Sequence, residues 1–510
     1  MCQVGEDYGE PAPREPPPAP RPSREHKCVK CKEAQPVVVI RAGDAFCRDC
    51  FKAFYIHKFR AMLGKNRLIF PGEKVLLAWS GGPSSSSMVR QVLEGLSQDS
   101  AKRLRFVPGV IFIDEGAACG RSPEERAKTL AEVKPILQAI GFPWHVVALE
   151  EVFSLPPSVL RCSSQEPAAP DGAYKAAVDN FLQQQHVLGA GGGPGLAHGE
   201  EPLPQPRAQS AWDLQSLVRP PAAAQTEALS HLFCSVRTLT AKEELLQTLR
   251  VHLILHVARA HGYSKVMTGD SCTRLAIKLM TNLALGRGAF LAWDTGFSDE
   301  RHGDVVVVRP MREHTLKEVA FYNRLFSVPS VFTPAVDTKA PEKASIHRLM
   351  EAFILRLQIQ FPSTVSTVYR TSEKLAKAPR DGPAAGTCGP RCLLCMCTLD
   401  VDTADSATAF GVQTASHLSQ IQSPTPLTET GTPQGLCCSP GGASRREDPQ
   451  ACIAEQLCYG CRVNMKDLPS LEPLPPYILA EAQLRTQRAW VLAELRDCLI
   501  EDSEDEVGQS

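Results

Sequence analysis

The chain has 510 residues and a formal net charge of -1, so no global electric field draws it onto nucleic acid. No apolar stretch approaches the ~20 residues that cross a bilayer, and the acidic first residues are unlike a signal peptide. We therefore expect a cytoplasmic protein without membrane contact. In that reducing compartment the 19 cysteines should stay free or bind metal rather than form disulfides.

Two CxxC pairs lie near the start of the chain. Cys28 and Cys31 form the first, and Cys47 and Cys50 form the second. Each pair folds into a tight knuckle with two neighbouring thiolates, and two knuckles complete a tetrahedral metal site. Four unliganded buried cysteines, or one redox-active pair, are the alternatives, and the paired spacing disfavours both. We predict a structural zinc site in a small ribbon.

A glycine turn follows the first buried strand predicted in the chain. Residues 75–79 are apolar, and Ser80, Gly81 and Gly82 come next, before a run of serines that includes Ser85. A turn of this kind between a parallel strand and a helix presents backbone N–H groups to an anion. The pattern predicts a phosphate-binding loop, with a tight turn that binds no nucleotide as the alternative.

The chain then alternates between strand and helix patterns. We predict strands at 106–113, 144–149, 266–269 and 304–308, and helices at 123–140, 242–261, 273–285 and 314–322. Such alternation indicates an α/β fold with a parallel sheet, and ligands bind at the carboxyl edge of such sheets. Asp114, Gly269 and Asp270 lie at strand exits on that edge and are candidate ligand-binding residues.

A second set of cysteines lies near the C-terminus. Cys392 and Cys395 form one pair, and Cys458 and Cys461 form another beyond a long Ser/Thr/Pro-rich insertion. Loop closure costs little more as a loop lengthens, so a second four-cysteine zinc site is compatible with this insertion. The exact ligand set stays open because further cysteines lie nearby, namely Cys388, Cys397, Cys437, Cys438 and Cys452.

Proline and glycine crowd into the segments between these motifs, which favours disorder or linkers there. The predicted regions, in chain order, are a disordered segment 1–24, a zinc ribbon 25–60, the first half of the α/β domain 61–155, a disordered insertion 156–229, the second half of the domain 230–372, a C-terminal zinc module with its own disordered insertion 373–465, and a helical segment with an acidic tail 466–510.

The glycine loop resembles the SGGxDS loop of the N-type ATP pyrophosphatases, the PP-loop superfamily. Gly269 with Asp270, and Arg309 with Pro310, lie where that superfamily has further nucleotide-site motifs. A cysteine-pair zinc module before the loop and another near the C-terminus is the arrangement of its tRNA 2-thiolation enzymes. The chain resembles the second, non-catalytic type of subunit in the eukaryotic cytoplasmic complexes.

The chain departs from this family at the residues that carry the chemistry. Ser84 stands where the family has its loop aspartate, and Pro83 lacks a backbone donor. Adenylation needs a carboxylate to organise Mg²⁺ around the phosphates. The catalytic CxxC pair of the active thiolases is also missing, because the cysteines between the two zinc modules are all single, namely Cys119, Cys162, Cys234 and Cys272.

The resemblance therefore implies a degenerate nucleotide site with no catalytic residue, and it leaves open whether ATP and Mg²⁺ still bind. That site comprises Ser80, Gly81, Gly82, Ser85, Asp114, Gly269 and Asp270. The implied partners are a catalytic tRNA thiolase in a heterodimer, a ubiquitin-related sulfur carrier, and tRNA. The implied reaction is 2-thiolation of the wobble uridine in tRNAs for Lys, Glu and Gln. The alternatives are an active ATP-dependent thiolase and a zinc-ribbon adaptor without an RNA role.

Overall fold

The structure is a computed structural model that describes residues 27–40, 43–97, 103–161, 174, 177–178, 221–375, 391–399, 453–466, 468, 470 and 472–498. The chain divides into two compact units, Met1–Phe54 and Tyr55–Ser510. Within the described ranges, no helix has the length and apolar character needed to span a bilayer. The predicted disordered segment 1–24 and the cysteines at 162, 388, 437, 438 and 452 lie outside the described residues.

The first unit contains a short antiparallel pair of strands, β1 (Val38–Val39) and β2 (Ala45–Phe46). Gly43 adopts a φ of 91° between them, a left-handed conformation that glycine adopts without strain. Helix α1 (Arg48–Asn66) begins directly after β2, and its Phe54 ring stacks on Phe46 with centroids 5.1 Å apart. A small ribbon of this kind agrees with the sequence prediction.

The second unit is built on a six-stranded sheet with the order β5-β4-β3-β6-β8-β7. Its strands are β3 (Lys74–Ala78), β4 (Val107–Asp114), β5 (Trp144–Ala148), β6 (Lys265–Thr268), β7 (Ser298–Asp299) and β8 (Val306–Val308). All pairings are parallel except that of β7 with β8. The predicted α/β fold with a parallel sheet is therefore confirmed. Only the two-residue β7 was missed, since it is too short to show a period.

Helices cover both the connections and the C-terminal part of the second unit. They are α2 (Pro83–Leu96), α3 (Pro123–Ile140), α4 (Ala223–Ser235), α5 (Leu239–Ala260), α6 (Cys272–Ala284), α7 (Leu291–Thr295), α8 (Leu316–Leu325), α9 (Ile346–Gln360), α10 (Pro362–Ser372), α11 (Tyr459–Met465) and α12 (Pro476–Cys498). Helix α3 begins with a capping box, in which Ser122 accepts from the Glu125 N–H, and it ends at its C-cap Gly141, which has a φ of 72°.

The prediction of a disordered insertion at 156–229 is wrong at both ends. A 3-10 helix spans Pro157–Leu160, and α4 begins at Ala223. Both elements bury apolar side chains, and Leu229 and Leu232 of α4 are fully inaccessible to solvent. Proline-rich composition around these short apolar patterns concealed them, since burial against the rest of the unit, rather than local propensity, stabilises them.

One hydrophobic core joins the sheet to the C-terminal cysteines. Leu76 and Val266 of the sheet belong to the same buried cluster as Leu249 of α5, Cys392 and Tyr477 of α12. The C-terminal cysteine module is therefore part of the core of the second unit. The cysteines and the sheet therefore depend on the same buried contacts.

Candidate nucleotide loop and metal sites

The glycine loop connects β3 to α2 at the carboxyl edge of the sheet. Gly81 has a φ of 80°, and Gly82 is the N-cap of α2, with Pro83 at the first helical position. Proline is favoured there because the N–H it lacks has no partner within the helix. Helix α2 thus begins directly after the glycine turn and runs through the serines.

The serines of the loop bind the loop itself. Ser85 Oγ accepts from the Ser80 N–H at 3.2 Å and donates to the Gly82 carbonyl at 3.0 Å. Ser86 Oγ donates to the Gly81 carbonyl at 3.2 Å and accepts from Trp79 Nε1 at 2.9 Å. These hydroxyl groups are therefore used to hold the turn.

A later segment of the chain lies against the same loop. The Val331 N–H donates to the Gly81 carbonyl at 2.9 Å, and Thr333 Oγ1 donates to the Ser80 carbonyl at 3.4 Å. A Cβ added at Gly81 would lie 3.3 Å from Val331 Cβ. Sequence reasoning missed this contact, because no local pattern links residue 331 to residue 81.

Gly269 brings the exit of β6 against the start of α2. A Cβ at this position would lie 2.7 Å from Ser85 Cα and 2.8 Å from Ser85 N. Both neighbours are backbone atoms and have no flexible end that can move away. The structure thus brings together the loop residues and Gly269, as the sequence placed them.

The two predicted carboxylates at this edge are in ion pairs. Asp114 Oδ2 lies 2.8 Å from Arg126 Nε, and its Oδ1 accepts from the Gly116 N–H at 2.9 Å. Asp270 accepts from Thr268 Oγ1 at 2.9 Å and lies 3.5 Å from Arg309 Nε. Burial alone raises the pKa of Asp270, but the positive charges of Lys278 and Arg309 hold that pKa below its ordinary value. Both carboxylates thus already have cationic partners.

The N-terminal cysteines converge in the first unit. Cys28, Cys31, Cys47 and Cys50 place their sulfurs within 4.8 Å of one another, and the Cys31 and Cys47 sulfurs are 4.0 Å apart. Cys28 and Cys47 are buried, whereas Cys31 and Cys50 are partly exposed. Water therefore reaches this group of thiols.

The C-terminal cysteines converge in the second unit. The sulfurs of Cys392, Cys395, Cys458 and Cys461 also lie within 4.8 Å of one another, with those of Cys395 and Cys458 3.6 Å apart. Cys397 is buried nearby, but its sulfur is a hydrogen-bond partner of Arg301 Nη1 at 2.7 Å. The ligand group that the structure assembles is thus the predicted set of four, and Cys397 has a separate partner.

Both groups fit a single tetrahedral ion. Metal–sulfur bonds of about 2.3 Å in a tetrahedron separate the sulfurs by roughly 3.8 Å. The observed separations of 4.0 Å and 3.6 Å bracket that value. In an iron–sulfur cluster the four thiolates are divided among two or four iron atoms, so not all of their sulfurs can lie as close together as around one ion. The donor sets therefore fit one thiophilic metal ion each.

The C-terminal knuckles are held by side chains from the α/β domain. His252 of α5 is fully buried, with Nε2 2.9 Å from the Leu394 carbonyl and Nδ1 2.6 Å from Tyr477 Oη. Leu394 precedes Cys395 in the first knuckle. Burial lowers the pKa of His252 to about 4, so the ring is neutral, donates to the carbonyl and accepts from the tyrosine. Sequence reasoning missed both residues, which lie far from the cysteines along the chain.

These features define a class of protein: an α/β domain with a carboxylate-free glycine loop, together with two four-cysteine metal groups. The family model "Cytoplasmic tRNA 2-thiolation protein 2" matches residues 345–463. Curated proteins of that name are 86% identical in Homo sapiens and 75% identical in Bos taurus, each over 100% of this chain and at least 99% of the relative. The protein of that name in Xenopus tropicalis is 50% identical over 94% of this chain and 95% of its own length.

The chain belongs to the cytoplasmic tRNA 2-thiolation protein 2 family. Among solved structures, it is similar to the U34-tRNA thiolase NcsA of Methanococcus maripaludis with its 4Fe-4S cluster, at a TM-score of 0.42 and 15% identity. That match covers 71% of this chain and 92% of the other.

Proposed function

We propose that this chain is a cytoplasmic, non-catalytic subunit required for 2-thiolation of the wobble uridine in tRNAs for Lys, Glu and Gln. It pairs with a catalytic thiolase that takes sulfur from a ubiquitin-related sulfur carrier. Membership of the family supports the pathway, and the curated relatives carry tRNA 2-thiolation in their names. The degenerate nucleotide edge supports the non-catalytic role.

The observation that carries the non-catalytic role is the chemistry at the carboxyl edge of the sheet. The loop has Ser84 in place of a carboxylate, and its serines bind their own backbone. Asp114 and Asp270 face Arg126 and Arg309. Phosphoryl chemistry depends on metal ions held by free carboxylates next to the phosphates. In this chain both carboxylates are in ion pairs, so the carboxyl edge of its sheet does not assemble Mg²⁺ and ATP.

The chain's contribution is then structural. Its parallel sheet keeps the shape of the loop and strand exits, and its two cysteine groups each hold one zinc ion that fixes two knuckles. Zinc is the metal we propose, because four thiolates in a tetrahedron suit it and it brings no redox chemistry. Metal analysis of the purified chain should find two zinc ions per molecule and no iron.

Reconstitution of the reaction tests the proposal directly. The purified chain, incubated alone with ATP, Mg²⁺ and substrate tRNA, should release no pyrophosphate and form no 2-thiouridine. Addition of the catalytic thiolase and the charged sulfur carrier should give 2-thiouridine, and omission of this chain should abolish it. Thiolation by this chain alone identifies it as the active enzyme. Equal thiolation with and without the chain removes it from the pathway.

A pull-down of the endogenous protein tests the partner. A stoichiometric protein with an intact SGGxDS loop should be recovered with it. Recovery of the chain without any such protein contradicts the heterodimer, whatever the tRNA result.

A further inference from the structure

The two cysteine groups differ in what surrounds them, and the C-terminal group has an arginine beside it. Arg287 lies in the loop after α6 and is 9% exposed. Its Nη2 is 3.5 Å from the sulfur of Cys461, and its Nη1 forms an ion pair with Glu244 of α5. The guanidinium group thus bridges a carboxylate and a thiol inside the core.

The backbone is shaped to allow this approach. Gly460 lies between Tyr459 and Cys461 in the second knuckle, and a Cβ there would lie 2.7 Å from Arg287 Nε and 3.0 Å from its Cγ. Gly286, just before the arginine, has a φ of 71°, and a Cβ added there would lie 2.9 Å from the Tyr459 ring. Two glycines therefore make room for the contact between this loop and the knuckle.

Arg287 also retains unused donor capacity on that side. Its Nε is buried and has no hydrogen-bond partner among the described residues. Glu244, which orients the guanidinium, also accepts from His347 Nε2 at 2.6 Å. The chain of contacts runs from α9 through α5 to the cysteine group. It places a permanent cation next to the sulfurs and holds it there.

The position of Arg287 matters because a metal bound by four cysteines carries a net negative charge. Four thiolates around a divalent ion form a dianion, and burial of uncompensated charge is expensive. Cys392, Cys458 and Cys461 are 0%, 6% and 3% exposed, so water does not solvate the group from their side. A cation that donates to a metal-bound thiolate offsets the negative charge and orients the ligand.

We propose that Arg287 is a positioning residue of the C-terminal metal site, which offsets the charge of the metal–thiolate group and so determines its affinity for the metal. The inference rests on the metal part of the proposed function and is independent of the tRNA role. The N-terminal group has no equivalent requirement, since two of its cysteines are partly exposed.

The test uses the full chain with the N-terminal site removed by Cys28→Ser and Cys31→Ser, so that one metal reports on the C-terminal site. Competition with a chromophoric chelator gives the zinc affinity of this background and of its Arg287→Met derivative. We expect Arg287→Met to bind zinc about 10- to 100-fold more weakly, the usual effect of removing an outer partner of a ligand. Arg287→Lys, which keeps the positive charge but not the planar guanidinium group, should lose less zinc affinity.

The matched control is Arg259→Met in the same background. Arg259 lies on α5, pairs with Asp304 and donates to the His302 carbonyl at 2.9 Å, so its loss weakens the same unit away from the cysteines. Cobalt substitution adds a readout that folding alone does not move: the thiolate-to-cobalt absorption band should shift in both Arg287 variants and not in Arg259→Met.

Three results overturn the inference. The first is zinc affinity within about twofold of the background together with an unshifted cobalt band in the Arg287 variants. The second is an equal loss of affinity in Arg259→Met. The third, absence of metal from the background protein, contradicts the metal assignment itself. If Arg287→Met does not fold, the affinity and cobalt band of Arg287→Lys decide the question by the same criteria.

Discussion

The two cysteine groups have the same ligands and nearly the same sulfur spacing, yet they lie in different surroundings. The N-terminal group is attached to a two-stranded ribbon and one helix start, and Cys31 and Cys50 are partly exposed. The C-terminal group belongs to the main core, where His252 and Arg287 contact its knuckles. The same four-cysteine arrangement thus occurs both in a small unit and as a component of a large core.

The difference predicts how each site fails. A ribbon of a few strand residues cannot bury enough apolar surface to fold alone. We therefore expect its metal to supply most of its stability, and the effect of losing that metal to stay local. The C-terminal metal shares a core with the sheet, so loss of either weakens the other.

Removal of one cysteine from each group should unfold different parts of the chain. Metal binding to a structural four-cysteine site is worth on the order of 10 kcal/mol, similar to the stability of a whole domain. We expect Cys458→Ser to abolish cooperative folding of the second unit, whereas Cys28→Ser should unfold only the first unit. Hydrogen exchange of β3 and β6 measures this. Full protection of both strands in Cys458→Ser contradicts the shared core.

Acid should weaken the second unit through a buried histidine far from the cysteines. His314 is fully buried with Nε2 3.0 Å from the Tyr55 carbonyl, and burial lowers its pKa to about 4 from an ordinary 6.5. As the pH falls, the unfolded chain binds a proton at this histidine before the folded chain does. The contribution of neutral His314 to the free energy of unfolding is therefore complete above pH 6.5 and is lost as the pH falls toward 4. The shift corresponds to about 3 kcal/mol.

The measurement compares wild type with His314→Gln in urea unfolding at several pH values. His314→Gln should make the profile between pH 6.5 and 4 less steep, while the buried His252 keeps part of the slope. His57→Gln, at an exposed position, should leave the profile unchanged. Identical slopes in all three proteins exclude this cause. The described residues of the first unit, 27–40 and 43–54, contain no histidine, so this part of the acid response belongs to the second unit.

A defect in the sheet should also release the C-terminal metal. Gly269→Ala places a Cβ 2.7 Å from Ser85 Cα and should cost about 2 kcal/mol, as overpacking typically does. We expect faster chelation of the C-terminal metal and unchanged chelation of the N-terminal one. Gly82→Ala is the matched control, since the nearest atom to its Cβ is Ser80 Oγ at 3.5 Å. Equal chelation kinetics in both variants argue against the coupling.

The smallest effect is expected from the hydrogen bond behind the first C-terminal knuckle. Tyr477→Phe leaves His252 Nδ1 without the partner that lies 2.6 Å away, and should cost about 1 kcal/mol. Unfolding in urea measures the loss, and chelation of the C-terminal metal should accelerate. Tyr459→Phe, at a ring that is 42% exposed, serves as control. If the Tyr477→Phe protein is as stable as wild type, the hydrogen bond contributes nothing to the free energy of unfolding.

Local signals in the sequence predicted much of this structure. The spacing of the cysteine pairs identified the four cysteines that converge in each group, and the alternation of strand and helix patterns indicated the parallel sheet. Helix α4 was missed because its stability comes from buried contacts in the core. The contacts of Arg287 with Cys461, and of Val331 with Gly81, join residues far apart in the chain. Such contacts leave no periodic or spacing signal.

We infer that the glycine loop serves the fold and takes no part in catalysis. Gly82→Asp tests it in cells that lack this protein, because aspartate suits the N-cap of α2 but puts a negative charge where a phosphate would bind. Mass spectrometry of tRNA for Lys, Glu and Gln should show 2-thiouridine restored as fully by this variant as by wild type. Absence of 2-thiouridine, with the variant present at normal levels, would contradict the account and assign nucleotide binding to this chain.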